Sequence, residues 1–395
     1  MISAPRALRF LLTFLCADLL WAGEPSRIII PKESDPSKFI PVAIEGITGE
    51  ALSALKFDLE IAGFEIAGAD RALLLISGSN RSSLIGRVND RARSSLLSKE
   101  YTGGTERAQA HAFADDIVQL LPGRQGVART KIAFKVDTGQ NSEIYIADYD
   151  GHNAVRVTQD NTITRDPAWV PGRRALFYTS YKAGNPDILF HDLPAGTRRP
   201  FAQYPGLNAG AAASPDGRRV AMVLSKNGSP DIYVREIDGG NPTQLTRTRE
   251  DESSPCWSPD GRTICFASRA GGRAALYTVS AGGGEMRRLR TDGASSCTEP
   301  DWSPDGKTIV FTANMGGFRI CTVPATGGAA DLLIDPKTNT GIAGEDPCWA
   351  PNSRTVAFTR RVGGRRVVSL LDVPTKRVKD VQHVSGSCSQ PSWAK

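Results

Sequence analysis

Several hallmarks of chemistry are missing from this chain of 395 residues: there is no G-x-S-x-G elbow, no G-x-x-x-x-G-K-[ST] loop and no H-E-x-x-H pair. Serine hydrolysis, P-loop nucleotide chemistry and zincin-type proteolysis are therefore not indicated. Histidine is scarce, at 111, 152, 191 and 383, and no two are spaced to share a helical metal site. His152 and His191 fall between strand patterns and read as solvated loop residues. None of the seven Cys forms a C-x-x-C, which argues against thiolate zinc or redox motifs. Lys and Arg never form a block, and the formal charge of +6 is spread along the chain, so nucleic acid is not an expected partner. We assign no catalytic, cofactor-binding or metal-ligating residue from the sequence.

The apolar run from Phe10 to Ala22 is interrupted by Asp18 and is shorter than the ~20 residues a bilayer requires. Preceded by Arg6 and Arg9 and closed by Leu20-Trp21-Ala22, it reads as a signal peptide over 1–22, cleaved near Ala22. The mature protein is then exported and does not span a membrane.

What the chain does have is a repeat. The segments P-A-W-V-P-G (167–172), A-A-A-S-P-D-G (211–217), P-C-W-S-P-D-G (255–261), P-D-W-S-P-D-G (300–306), P-C-W-A-P-N-S (347–353) and P-S-W-A (391–394) place Trp169, Ala213, Trp257, Trp302, Trp349 and Trp393 in one register. Successive spacings are 44, 44, 45, 47 and 44 residues. After each complete slot comes the alternation of a half-buried strand, as in Ile264/Phe266, then a second strand such as Leu276-Tyr277-Thr278. In S-P-D-G, Pro fixes φ, Asp bonds nearby backbone and Gly accepts positive φ, which makes a tight turn. Turn and strand alternating at this period is propeller-blade spacing.

Residues 130–158 read as a blade lacking its opening strand, and Gln390-Pro391-Ser392-Trp393 as an opening strand lacking its blade. The two complete each other. The expected fold is an α/β N-terminal domain over 23–126 followed, over 127–395, by an all-β six-bladed β-propeller closed by the C-terminal strand. In the first domain, strands are expected near 28–30, 39–44, 73–76 and 84–88, with helices over 50–62 and from about Thr105 to Pro122-Gly123.

Six Cys remain after export, an even number for an oxidising compartment. Cys256 and Cys348 lie one residue before the Trp slot, while Cys297 and Cys388 lie five before it. Because the ring closes, each pair joins consecutive blades, and the expected disulfides are Cys256–Cys297 and Cys348–Cys388. Cys265 and Cys321 are left unassigned.

The innermost strand of a propeller lines the central channel. The residue before the aligned Pro is Asp166, Ser254, Glu299, Asp346 and Gln390, with Gly210 where Ala211 replaces that Pro. With Thr298, Ser253 and Arg165 beside them, they should gather at one mouth, a broad and partly acidic surface suited to a protein or peptide.

The chain resembles the TolB family of the Tol–Pal envelope system. The residues that carry the likeness are Ala128-Arg129-Thr130-Lys131-Ile132-Ala133-Phe134, Ala147-Asp148-Tyr149-Asp150-Gly151-His152-Asn153, the segment from Leu224 to Val234 with Asn227-Gly228-Ser229-Pro230-Asp231, and Cys297-Thr298-Glu299-Pro300-Asp301-Trp302. The resemblance implies a non-enzymatic periplasmic scaffold without cofactor. It implies that a Pal-type peptidoglycan-associated lipoprotein docks at the mouth, near Asp166, Ser254, Thr298, Glu299, Asp346 and Gln390. It further implies that the mature N-terminal segment, with Glu24, Arg27, Ile28, Ile29 and Ile30, is offered to a TolA-type inner-membrane protein. Two other readings are an accessory propeller of an exported peptidase and a glycan- or small-ligand-binding propeller.

Overall fold

The computed structural model describes residues 35–335, 340–381 and 386–395. The signal segment and residues 24–30, including the strand expected at 28–30, lie outside the described residues.

The first unit runs β1 (Ile40–Glu45), α1 (Gly49–Ile61), β2 (Phe64–Ile66), β3 (Leu74–Asn80), β4 (Leu84–Asp90), β5 (Ser95–Tyr101) and α2 (Glu106–Gln119). Its sheet has the order β2-β1-β3-β4-β5, with β1 parallel to β2 and β3 and the remaining pairs antiparallel. The stripes of both helices are core: Ala51, Leu55 and Leu59 from α1 meet Phe113 and Ile117 from α2 over Ile76, Leu84 and Val88. Thr105 caps α2, its Oγ1 accepting from the Ala108 amide at 3.2 Å. At Gly86 an added Cβ would stand 2.6 Å from the Phe113 ring, so the close seating of α2 on β4 requires glycine there. The strands β2 and β5 were not anticipated. The first is three residues long and the second is mostly exposed and polar, so neither carries a clear period-two signal.

The propeller has the expected six four-stranded antiparallel blades. Blades 1 to 5 begin with inner strands Thr164–Trp169, Asn208–Ala213, Glu252–Trp257, Cys297–Trp302 and Glu345–Trp349. Blade 6 is a composite in which Ser387–Trp393 pairs with Lys131–Thr138, which in turn pairs with Asn141–Asp148. Trp393 stands opposite Ile132, so this strand supplies the inner strand of blade 6 and closes the ring.

Two of the slot tryptophans fasten blade to blade. Trp257 donates its indole N–H to the Ala212 carbonyl at 2.9 Å, and Trp169 donates to the Ser392 carbonyl at 3.1 Å. The S-P-D-G turns are built as their chemistry suggests. Ser258 Oγ bonds Asp260 at 2.5 Å, the Arg262 amide bonds the same carboxylate at 3.0 Å, and Gly261 has φ +66°.

The first unit sits at the Trp-turn end of blades 5 and 6. Arg377 of blade 5 donates to the Glu60 carbonyl at 3.2 Å, and Lys379 of the same blade pairs with the Glu60 carboxylate. Its contact with blade 6 is made by Tyr149 and Asp150 of the D-Y-D-G turn. Among the described residues no helix is long and apolar enough to cross a membrane.

Candidate functional site at the channel mouth

Each inner strand breaks its ladder at the same place. The register shifts by one residue, two residues opposing one, at Asp166-Pro167, Gly210-Ala211, Ser254-Pro255, Glu299-Pro300, Asp346-Pro347 and Gln390-Pro391. The bulge accommodates a proline in a strand, because the missing N–H falls where the ladder is already interrupted. At every one of these bulges the residue before the proline position is left-handed, with φ of 54°, 61°, 52°, 53°, 53° and 54° in chain order. For a residue with a side chain this conformation costs on the order of 1 kcal/mol or more. The strain is thus repeated around the ring. Glycine is found in the one blade whose proline is absent.

All six residues line a channel cavity of about 1230 Å³, together with Arg165, Ser253 and Thr298. They are also bonded to one another from blade 4 round to blade 1. Glu299 accepts from the Asp346 amide at 2.8 Å and from Thr312 Oγ1 at 2.7 Å. Thr359 Oγ1 donates to Asp346 at 3.1 Å and accepts from the Gln390 amide at 3.0 Å. Gln390 donates to Asp166 Oδ1 at 2.9 Å and accepts from the Asp166 amide at 3.2 Å. Arg165 pairs with Asp166 at 3.0 Å from a half-exposed position.

The electrostatics of this mouth follow from burial among like charges. Asp346 is pushed up to about 8, first by burial and then by Glu299, Glu345 and Asp166, against the hydrogen bond from Thr359. Glu299 is raised too, mainly by burial. Glu345 was not singled out in the sequence. It is the chain neighbour of Asp346, one residue before the aligned position.

A second ring at the other end of the inner strands also escaped the sequence reading. Ala168, Ala212, Cys256, Asp301, Cys348 and Ser392, each one residue before the slot, line the same channel. Asp301 accepts from the Trp349 amide at 2.7 Å and holds Lys395 Nζ at 2.9 Å. The register that revealed the mouth ring would have revealed this one, had the position before the slot been read as lining.

The disulfide expectation is corrected. Cys256, Cys265, Cys297, Cys321, Cys348 and Cys388 are all free thiols in the structure, and neither Cys256–Cys297 nor Cys348–Cys388 is joined. In-register inner strands separate two sites offset by four residues by on the order of 10 Å, beyond disulfide reach. Cys256 instead stands opposite Cys265 in its own blade. Burial raises the Cys256 and Cys348 thiols well above their ordinary value and Cys388 to about 11. His191 is also corrected. It lies buried on the strand Asp187–Asp192, edge-on to Tyr178, and burial lowers its pKa. Glu24, Arg27, Ile28, Ile29 and Ile30 lie outside the described residues.

Comparison with known proteins places this geometry. A family model described as the TolB beta propeller domain matches residues 118–395. The Tol-Pal system protein TolB of Aromatoleum aromaticum is 33% identical over 156 residues, 38% of this chain and 37% of its own length. That of Histophilus somni strain 129Pt is 30% identical over 202 residues, 49% of this chain and 44% of its own length. The chain therefore spans less than half the length of these curated relatives. The crystal structure of TolB from Acinetobacter baumannii matches with a TM-score of 0.81 at 23% identity, covering 91% of this chain and 98% of that one, a likeness of fold.

Proposed function

The chain belongs to the TolB β-propeller family, and on that premise we propose that it is a non-enzymatic periplasmic scaffold of a Tol–Pal envelope system. In this reading the signal is removed near Ala22. The propeller mouth binds a Pal-type lipoprotein through Asp166, Ser254, Thr298, Glu299, Asp346 and Gln390. The mature N-terminal segment, with Glu24, Arg27, Ile28, Ile29 and Ile30, is taken by a TolA-type inner-membrane protein as an added strand. The scaffold then supports outer-membrane integrity and envelope constriction at division.

One observation carries the reading: five strained, left-handed residues and Gly210 ring one end of the channel, and those from Glu299 to Asp166 are hydrogen-bonded in series. Strain repeated at equivalent positions, with half-buried carboxylates beside it, is what a pre-organised docking surface requires and what an inert core would avoid. The names of the relatives supply the system. The position of the mouth, at the opposite end of the inner strands from the first unit, leaves room for two partners at once.

Capture from an envelope extract tests it. Glu299→Lys should lower recovery of the Pal-type lipoprotein at least about tenfold, the effect of losing one central interface contact. Deleting residues 24–30 should abolish TolA-type capture and leave Pal capture intact. Unchanged Pal recovery with Glu299→Lys, or loss of both partners on the deletion, would overturn the assignment of two sites.

A further inference from the structure

The seam between the first unit and blade 6 holds four buried charged side chains that the scaffold reading does not use. Asp58 comes from α1, Arg107 and His111 from α2, and Asp150 from the D-Y-D-G turn of blade 6. His111 Nδ1 is 2.7 Å from Asp58 Oδ2, and its Nε2 is 3.3 Å from Asp150 Oδ2. Arg107 Nε donates to the same Asp150 oxygen at 3.0 Å. Tyr149 donates its hydroxyl to Asp58 Oδ1 at 2.5 Å. One imidazole thus bridges carboxylates contributed by two separate units of the fold.

With Asp58 and Asp150 both ionised, the charges of the four side chains balance when that imidazole is protonated. Two carboxylates then face His111 and Arg107, while the nearby Asp115 has its own partner in Arg129 at 2.9 Å and Glu50 lies 3.8 Å from Arg107. Burial works against a charged His111, but Asp150 and Asp58 outweigh it and hold its pKa at about 10. Burial would raise Asp150, yet His111 and Arg107 keep it well below the usual carboxylate range. Asp58 is raised by burial, in spite of the hydrogen bonds from His111 and Tyr149.

The cluster also rests on the closure of the ring. The Tyr149 amide donates to the Thr130 carbonyl at 3.1 Å, and Trp393 of the closing strand donates its indole N–H to Thr130 Oγ1 at 2.7 Å. The Tyr149 and Trp393 rings lie 6.1 Å apart.

We propose that Asp58, Arg107, His111 and Asp150 form a charge-matched latch that fixes the first unit in one orientation on blade 6, over the point where the propeller is fastened. Separating the units strips Asp150 of both its cations at once. A buried ion cluster has no half-open arrangement of comparable energy, so the docked pose is a discrete state rather than one point on a continuum. By sign, the contribution of His111 is complete below its ordinary value of 6.5 and lost as pH rises through about 10. That of Asp150 is present above its ordinary 3.8 and lost as pH falls below it. The latch is independent of which partner binds at either site.

The test is made on the full chain, with blade 2 as the internal fold control. His111→Gln leaves a surplus negative charge in the seam. It should speed hydrogen exchange of the amides at 148–153 and in α2 by at least about tenfold, with blade 2 unchanged. Adding Asp58→Asn restores the balance and should recover at least half of that effect on a logarithmic scale. In parallel, nitrogen chemical shifts of the wild-type imidazole should show both ring nitrogens of His111 protonated at pH 8. This second measurement decides the matter if His111→Gln does not fold. Exchange unchanged by His111→Gln, a double variant no better than the single, or a neutral His111 at pH 8 would each overturn the latch.

Discussion

The interdomain seam buries its carboxylates and the channel mouth half-buries several, and Asp150 in the seam responds in the opposite way to Asp346 at the mouth. At the mouth, Glu299, Glu345 and Asp166 act on Asp346, and the nearby cations are spent elsewhere from partly exposed positions, Arg165 on Asp166 and Arg366 on Glu345 at 3.2 Å. Asp346 rises to about 8. At the seam, His111 and Arg107 are buried with Asp58 and Asp150, and Asp150 falls well below its ordinary range. The residue type is the same in both places. What differs is whether a cation is built in, and the lesson is functional: the seam is satisfied within the chain, whereas the mouth holds negative charge that a partner can relieve.

The sharpest way to break this comparison is to remove one carboxylate from each region. Asp150→Ala leaves Arg107 and His111 buried with Asp58 alone, and should cost about 3–5 kcal/mol in denaturant unfolding. Asp346→Asn should act with the opposite sign. Removing a charge from a like-charged cluster should raise stability at pH 8 by about 1 kcal/mol or more. A loss of stability in both variants would mean that the mouth is no less satisfied than the seam.

A pH scan sharpens the same contrast. An acid whose folded pKa is raised favours the folded state while protonated, so stability should decline as pH climbs from Asp346's ordinary 3.8 through about 8. Asp346→Asn should flatten that decline. The seam should add to the decline through Asp58, whose pKa is also raised, and through His111, whose contribution is complete below 6.5 and lost as pH rises through about 10. The smallest expected effect is on backbone strain. At Gly210, with φ +61°, an added Cβ meets only ordinary contacts, the nearest being Val223 Cγ2 at 3.6 Å. Gly210→Ala should therefore cost about 1 kcal/mol through conformation alone, read as a small fall in melting temperature.

Much of the mouth was legible in the sequence because the repeat supplies a ruler. Once Trp169 to Trp393 are aligned, a fixed offset names Asp166, Glu299, Asp346 and Gln390, and the fold places them around one channel. The left-handed backbone at those residues was not read, although the proline that follows them and Gly210 at the equivalent position were its visible traces. Lys395 lines the channel and meets Asp301 only through the packing of neighbouring blades. His111, on α2 with no motif around it, meets Asp150 from a different unit of the fold.

By itself the sequence determined the number of blades, the closing strand and which offsets face the channel, because strand alternation and turn chemistry act between near neighbours and recur with the repeat. Tertiary structure decided that Cys256 lies opposite Cys265 rather than beside Cys297, that Lys395 pairs with Asp301, and that His111 bridges two units. Those outcomes depend on distances across blades and domains, which strand offsets and packing set and no local pattern records.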